Sequence, residues 1–213
     1  LGVLIQQQLV QRVLDAHVLN QILLLLGVST LLSGVAQLAF QPIPRTLRLP
    51  VSTASLRVAG LIFNLPRLIA FLASIAIAVG LYIFLQRTKL GKAIRACSQS
   101  RDAAQLVGVD VKRIYMLTFG IGAAVTGIGG TLLMPSFPVT PTIGSLFGTV
   151  AFVVVVLGTM GNFLGAVVGG LIIGVAETFG GFLLGSDMKQ IVSMVIFILV
   201  LLLRPQGLFG KEG

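Results

Sequence analysis

KLGKAIRACSQSRDAAQLVGVDVKR, residues Lys89–Arg113, is the only long polar stretch between strongly apolar runs. Counted with Arg87, it holds seven of the 15 Lys and Arg residues. Read as one helix from Lys92 to Val107, it is amphipathic. At 100° per residue, Ala93, Cys97, Ala103, Ala104 and Val107 fall on one side, and Arg95, Ser98, Arg101, Asp102 and Gln105 on the other. Gly108 supplies a helix stop, and Asp110 is placed to cap the apolar helix that follows. Such a segment between two membrane helices has two readings. It is a cytoplasmic loop that fixes topology and rests on anionic lipid, or a docking element for a cytoplasmic partner.

The flanking runs decide the fold class. The chain of 213 residues is 56% hydrophobic and only 10% charged. That is the composition of an integral membrane protein. Lipid offers no hydrogen-bond partners, so each crossing segment must satisfy its own backbone. The runs are continuous rather than alternating, which excludes a β-barrel pattern and leaves an all-α membrane protein. The net charge of +9 is no nucleic-acid signature, because the cations sit at the ends of apolar runs. The single cysteine, Cys97, excludes an internal disulfide and reads as a small apolar filler.

About six hydrophobic segments follow in order. The opening LGVLI reads as the end of an apolar helix whose beginning lies upstream, so an N-terminally truncated chain is expected. Gln6 to Asn20, with Arg12, Asp15 and His17, is polar enough to lie outside the hydrocarbon, with His17 solvated or capping. Gln21–Phe40 is the first full span. Gln41–Pro66 is a surface excursion with Pro42, Pro44 and Pro50, and RLPVSTASLRVAGLIF within it alternates as a small hairpin would. Leu68–Leu85 and Ile114–Met134 are the next spans, and Pro135, Pro138 and Pro141 mark a non-helical loop. Leu146–Met160 is short: 15 residues rise only ~22 Å against ~30 Å of hydrocarbon, as in a tilted or re-entrant segment. Gly158, Gly161 and Asn162 form the turn after it. Leu164–Leu184 and Gln190–Leu203 complete the set.

Orientation follows from the cations. With residues 87–113 inside, the cytoplasm holds Arg12, that cluster, Arg204 and Lys211. The outside holds only Arg45, Arg48, Arg57, Arg67 and Lys189. The C-terminus is then cytoplasmic. Glu177 is the only acid well inside a long apolar run, and a charge at mid-membrane costs ~2.5–3.5 kcal/mol, so it is expected to face protein or water. It is a structural hydrogen-bonding group or a lining group of a solute path. The same path would pass the turn at Gly158, Gly161 and Asn162. The small-residue spacings Gly165–Gly169 and Gly170–Gly174 suit close helix packing. No G-x-x-x-x-G-K-[ST] motif, His/Cys cluster, nucleophile elbow or paired carboxylates occur, so no catalytic, cofactor or metal residue is assigned.

Three separated stretches carry a resemblance: LGKAIRACSQSRDAAQLVGVDVKRIYMLTFGIGAAVTGIGGTLL, VVVVLGTMGNFLGAVVGGLIIGVAE and LLLRPQGLFGK. In this order they resemble the permease subunit of bacterial branched-chain amino acid ABC importers, from about Leu9 to Lys211. The family's N-F-A-H-G-like motif, carried on further N-terminal helices, is missing. The resemblance implies the ABC importer permease fold as a single transmembrane domain over 1–213, with the coupling segment at 87–113. It also implies a short cytoplasmic helix that docks on an ATPase subunit. Its pattern E-A-A-x-x-x-G is met by Asp102, Ala103, Ala104 and Gly108, with Asp for Glu and without the usual I-x-L-P. Arg95 and Arg101 would form ion pairs with that partner. The implied partners are ATP-binding subunits that carry the ATP and magnesium, a second permease subunit, a periplasmic solute-binding protein and membrane lipid. The implied location is the bacterial inner membrane, and the implied solute is Leu, Ile, Val or a similar amino acid. Related permeases for urea, short-chain amides or sugars share the architecture. A secondary transporter driven by an ion gradient through Glu177, and a non-transporting scaffold, are the alternatives from other classes.

Overall fold

The structure, a computed structural model, describes residues 2–13, 17–41, 43–45, 55–58, 61–185, 188–204 and 207–209. Asp15, Arg48, Pro205 and Lys211, used above, lie outside the described residues. The chain forms two compact units, Leu1–Pro141 and Thr142–Gly213.

In the first unit, α1 (Gly2–Gln8) leads through a 3-10 turn (Val10–Arg12) to α2 (Val18–Phe40). His17 caps α2, its Nδ1 accepting from the Leu19 amide at 3.5 Å. A hairpin of β1 (Ser55–Val58) and β2 (Leu61–Asn64) follows, paired antiparallel with Ser55 opposite Asn64. The alternating stretch in the sequence predicts this hairpin. The remaining elements are α3 (Leu65–Arg87), α4 (Lys89–Gln99), α5 (Arg101–Leu106) and α6 (Val111–Leu133). Pro66 opens α3 in the first turn, where its missing N–H costs nothing. An isolated antiparallel bridge joins Arg45 to Val139, with N–H···O distances of 3.1 and 2.9 Å. It ties the loop after α2 to the loop after α6, so both helices end on the same side of this unit.

Two expectations need correction here. Gln6 is not in a solvated linker. It lies within α1, two residues before the helix ends, and is only 3% exposed. α1 lies against α6, with Gly2 beside Ala123 and Val3 against Gly120. Gln6 sits three and four residues after these two, on the same helical face. Nor is Lys92–Val107 one helix. The backbone is extended at Ser100, which ends α4 and caps α5 by accepting from the Ala103 amide at 3.2 Å.

The second unit holds α7 (Ile143–Leu157), α8 (Phe163–Leu183) and α9 (Lys189–Leu203). Gly158 touches Gly165 while Val154 lies beside Gly169, so α7 and α8 are antiparallel. Gly180 meets Val192 and Gly181 meets Lys189, so α8 and α9 are antiparallel too. α7 therefore runs parallel to α9. At 15 residues each, both rise ~22 Å. Their shared inner face is the cluster Val153, Leu157 and Ile173, covered by Val150, Ile196, Phe197 and Val200. The C-terminal residues fasten the bundle end: Leu208 N–H donates to Leu157 O at 2.9 Å and Phe209 N–H to Thr159 Oγ1 at 3.3 Å. Gly207, at φ +84°, brings the strap within reach. A Cβ there would meet Thr159 Oγ1 at 2.6 Å.

Candidate partner-docking segment and intramembrane carboxylate

The polar segment is built to stand off the ends of α3 and α6. Thr88 makes both the stop and the start. Its Oγ1 donates to Phe84 O at 2.7 Å and accepts from Gly91 N–H at 3.0 Å, ending α3 and capping α4. The chain then folds back so tightly that a Cβ on Gly91 would lie 2.5 Å from the Leu85 backbone. Cys97 and Ala104 form a small core with Val111, the first residue of α6, under Ile114 and Tyr115. Burial pushes the Cys97 thiol above its ordinary range. Folding thus retains the neutral thiol, and the stability it contributes falls as pH rises past the ordinary thiol range. Maleimide labelling of Cys97 is expected to lag a cysteine placed at exposed Val107, and to need higher pH. Equal rate–pH curves for the two sites would rule out that burial.

The break at Ser100 rotates α5 relative to a continuous helix. Ala104 stays inside at 2% exposure, whereas Ala103 faces out, with Leu106 and Val107 exposed by 89% and 77%. The sequence reading placed Ala103 and Val107 on the same side as Cys97 and Ala104. Asp102 is exposed in the first turn of α5, and Arg95 is held by Gln86, with Nη1 donating to Oε1 at 2.9 Å. Gly108, at φ +82°, closes the segment. Its N–H donates to Gln105 O at 2.9 Å, and Val109 N–H to Ala104 O at 3.0 Å. Asp110 caps α6 as expected, accepting from Arg113 N–H at 3.2 Å. Its exposed 2.9 Å ion pair with the same arginine adds at most about 1 kcal/mol. The outward surface thus carries an acid, a small Ala, a Gln and two apolar side chains.

Glu177 lies on α8 in line with buried Ile173 and Gly180, four residues before and three after it. It is half-buried, six residues or ~9 Å from the C-terminal end of its helix. It makes no hydrogen bond or ion pair among the described residues. Gly158 and Gly165 abut backbone to backbone, and Gly161 (φ +87°) with Thr159 (φ +74°) reverses the chain. Asn162 caps α8, its Oδ1 accepting from Gly165 N–H at 3.1 Å. The turn residues are therefore brought together at one end of α8, while Glu177 lies toward the other. No group of three His, Cys, Asp or Glu residues gathers among the described residues.

Four helices are long and apolar enough to cross a membrane: Leu19–Phe40, Leu65–Arg87, Val111–Leu133 and Phe163–Leu183. These long apolar helices, with apolar faces turned outward and a polar element packed at the helix ends, define an all-α, multi-pass membrane protein. The chain belongs to the family described as "Branched-chain amino acid transport system / permease component", which it matches over residues 3–201. It is 39% identical over 153 residues to the high-affinity branched-chain amino acid transport system permease protein BraD of Pseudomonas aeruginosa, covering 71% of this chain and 50% of the relative. It is 40% identical over 145 residues to LivH of Salmonella typhimurium, a permease of the same description, covering 68% and 46%. The ribose import permease protein RbsC of Haemophilus influenzae is more distant, at 28% over 149 residues, covering 67% and 46%. The chain spans about half the length of the curated relatives it matches. No solved structure matches it significantly.

Proposed function

We propose that this chain is part of the membrane-spanning permease subunit of an ATP-driven importer for branched-chain or similar amino acids. The carrying observation is the α4–α5 element. It is anchored inward by Cys97 and Ala104 and presents Asp102, Ala103, Leu106 and Val107 outward. A small residue flanked by apolar side chains and a carboxylate suits insertion into a protein cleft better than residence in water. The occupant of that role is an ATP-binding subunit. Its closure pushes on α5 and, through the Ala104–Val111 contact, on the start of α6. Gly108 ends the pushed helix, and Arg95 and Arg101 supply cations beside the contact.

The cation distribution supports residues 87–113 and the C-terminal tail on the cytoplasmic side of the inner membrane. A second permease subunit and a periplasmic binding protein complete the assembly, and ATP and magnesium sit on the ATP-binding subunits. Glu177 lines the solute path, and the turn of Gly158, Gly161 and Asn162 forms its far end. The higher identity to branched-chain amino acid permeases than to the ribose permease favours the amino acid solute.

The test is uptake of labelled leucine by proteoliposomes holding the full permease, its ATP-binding subunits and binding protein. Uptake is expected to require internal ATP and to survive collapse of the proton gradient. Uptake that ignores ATP and stops with the gradient would replace this reading with ion-coupled transport.

A further inference from the structure

The second unit holds two groups of opposite charge that nothing neutralises among the described residues. Glu177 is half-buried on α8 and Lys189 is exposed at the start of α9, and neither side chain forms an ion pair or hydrogen bond among those residues. The antiparallel course of α9 along α8 brings them near each other. The Lys189 stem crosses Gly181: a Cβ there would meet Cε first, then Cγ at 2.9 Å and Cδ at 3.2 Å. The side chain that Gly181 lacks is the room the stem occupies. Gly181 follows Glu177 by four residues, so their Cβ positions share a face about 5–6 Å apart. The ammonium, one bond beyond Cε, stands about one turn nearer the helix end than the carboxylate, and no direct ion pair closes between them.

The two charges select the guest. A carboxylate inside an apolar run is expensive, and such groups mark solute and ion pathways. Glu177 offers only acceptors and Lys189 only donors, both in the strong, charge-assisted class. The guest that answers both at once carries an ammonium and a carboxylate close together, as an α-amino acid zwitterion does. Its two charged groups are about 3 Å apart, and a hydrogen bond of about 2.9 Å at each end lets it bridge a gap of up to about 9 Å. On the other side of Glu177, three residues earlier on α8, nothing lies within 4 Å of a Cβ built on Gly174. That open backbone leaves room for an aliphatic side chain beside the carboxylate.

We infer that Glu177 and Lys189 together recognise the zwitterion of the solute near the C-terminal end of α8, Glu177 accepting from its ammonium and Lys189 donating to its carboxylate. This rests on the amino acid solute proposed above and supplies the two groups that select it. A sugar carries neither charge, and a simple amine or carboxylic acid carries only one. The pair touches only what Leu, Ile and Val share, so it treats the three alike.

The experiment uses the full-length permease assembled with its partner subunits, without nucleotide or binding protein. Gly174→Cys in a Cys97→Ala background is the probe. Maleimide labelling at position 174 is timed alone and with millimolar leucine, 3-methylbutylamine or 4-methylpentanoate. Leucine is expected to slow labelling about fivefold, and each single-charge analogue less than about twofold, because each makes one charge-assisted bond instead of two. Glu177→Gln and Lys189→Gln should each remove the protection by leucine, whereas Arg67→Gln, which removes another exposed cation, should keep it. If Glu177→Gln fails to fold, exposed Lys189→Gln carries the same reading. In proteoliposomes with ATP and loaded binding protein, the two variants should lower kcat for leucine uptake about tenfold and leave KM for the binding protein unchanged. The proposal is overturned if Gly174→Cys never labels, if leucine gives no protection, if either analogue protects as well as leucine, or if Glu177→Gln or Lys189→Gln stays protected. Protection that needs both charges, in a protein whose uptake ignores ATP, would uphold this site and remove the ATP-driven reading instead.

Discussion

Gly165→Ala should lose the packed α7–α8 pair, whereas Gly174→Ala on the same helix should fold normally. A Cβ on Gly165 would run into the Gly158 carbonyl oxygen, with the Gly158 carbonyl carbon at 2.9 Å and Asn162 Cγ at 3.3 Å. Both of the nearest atoms are backbone, so no rotamer change relieves them, and the two helices must part. Parting them uncovers Val153, Leu157 and Ile173, each at most 2% exposed. Overpacking typically costs 1–3 kcal/mol, and a backbone clash belongs at the upper end, about 3 kcal/mol. At Gly174 nothing lies within 4 Å of the added carbon. Alanine there should be neutral or stabilising by about 0.5–1 kcal/mol, because it restrains the unfolded chain. Unfolding of both variants in detergent, against wild type, gives the comparison. A Gly165→Ala protein as stable as Gly174→Ala would refute the close crossing.

With α5 as the proposed docking site for ATP-binding subunits, Ala103→Arg should leave the permease folded and strip it of them. Ala103 is exposed, so an arginine meets no core atom. Placed in a closed interface with no acid opposite, an unpaired charge costs about 3 kcal/mol, roughly a 100-fold loss of affinity. Co-purification from detergent reads that loss, and an unchanged unfolding temperature shows that the fold survives. Retention of the ATP-binding subunits by Ala103→Arg would move docking away from α5. Gly108→Arg gives no such clean result. Its φ of +82° is left-handed, so any Cβ-bearing residue other than Asn or Asp strains the segment by about 1–2 kcal/mol. Gly108→Asn is therefore the control: it tolerates that backbone and should keep the partner. Ala104→Arg is the opposite control, since Ala104 is 2% exposed and the variant should destabilise the segment itself.

These two contrasts separate what could be read from residues from what could not. The spans were legible because lipid imposes the pattern: a crossing helix needs about 20 apolar residues, and each run became a helix within a few residues of its expected ends. The caps at His17 and Asp110 were legible because short polar side chains satisfy free amides locally, whereas Asn162, read only as part of a turn, also caps α8. The break at Ser100 was not, because SQSRD holds no Gly or Pro and a continuous helix also gives an amphipathic pattern. Ser100 as a cap with Asp102 in the next turn was the available signal.

The sequence by itself determined that this is an all-α membrane chain, where its helices run, and the family to which it belongs. Those properties follow from local composition and motifs. Tertiary packing alone decided that Ala104 is an anchor while Ala103 is free, that Gly165 must be glycine while Gly174 need not be, and that Gln6 is buried. Each depends on which neighbour stands opposite, and adjacent residues of one type can meet opposite surroundings.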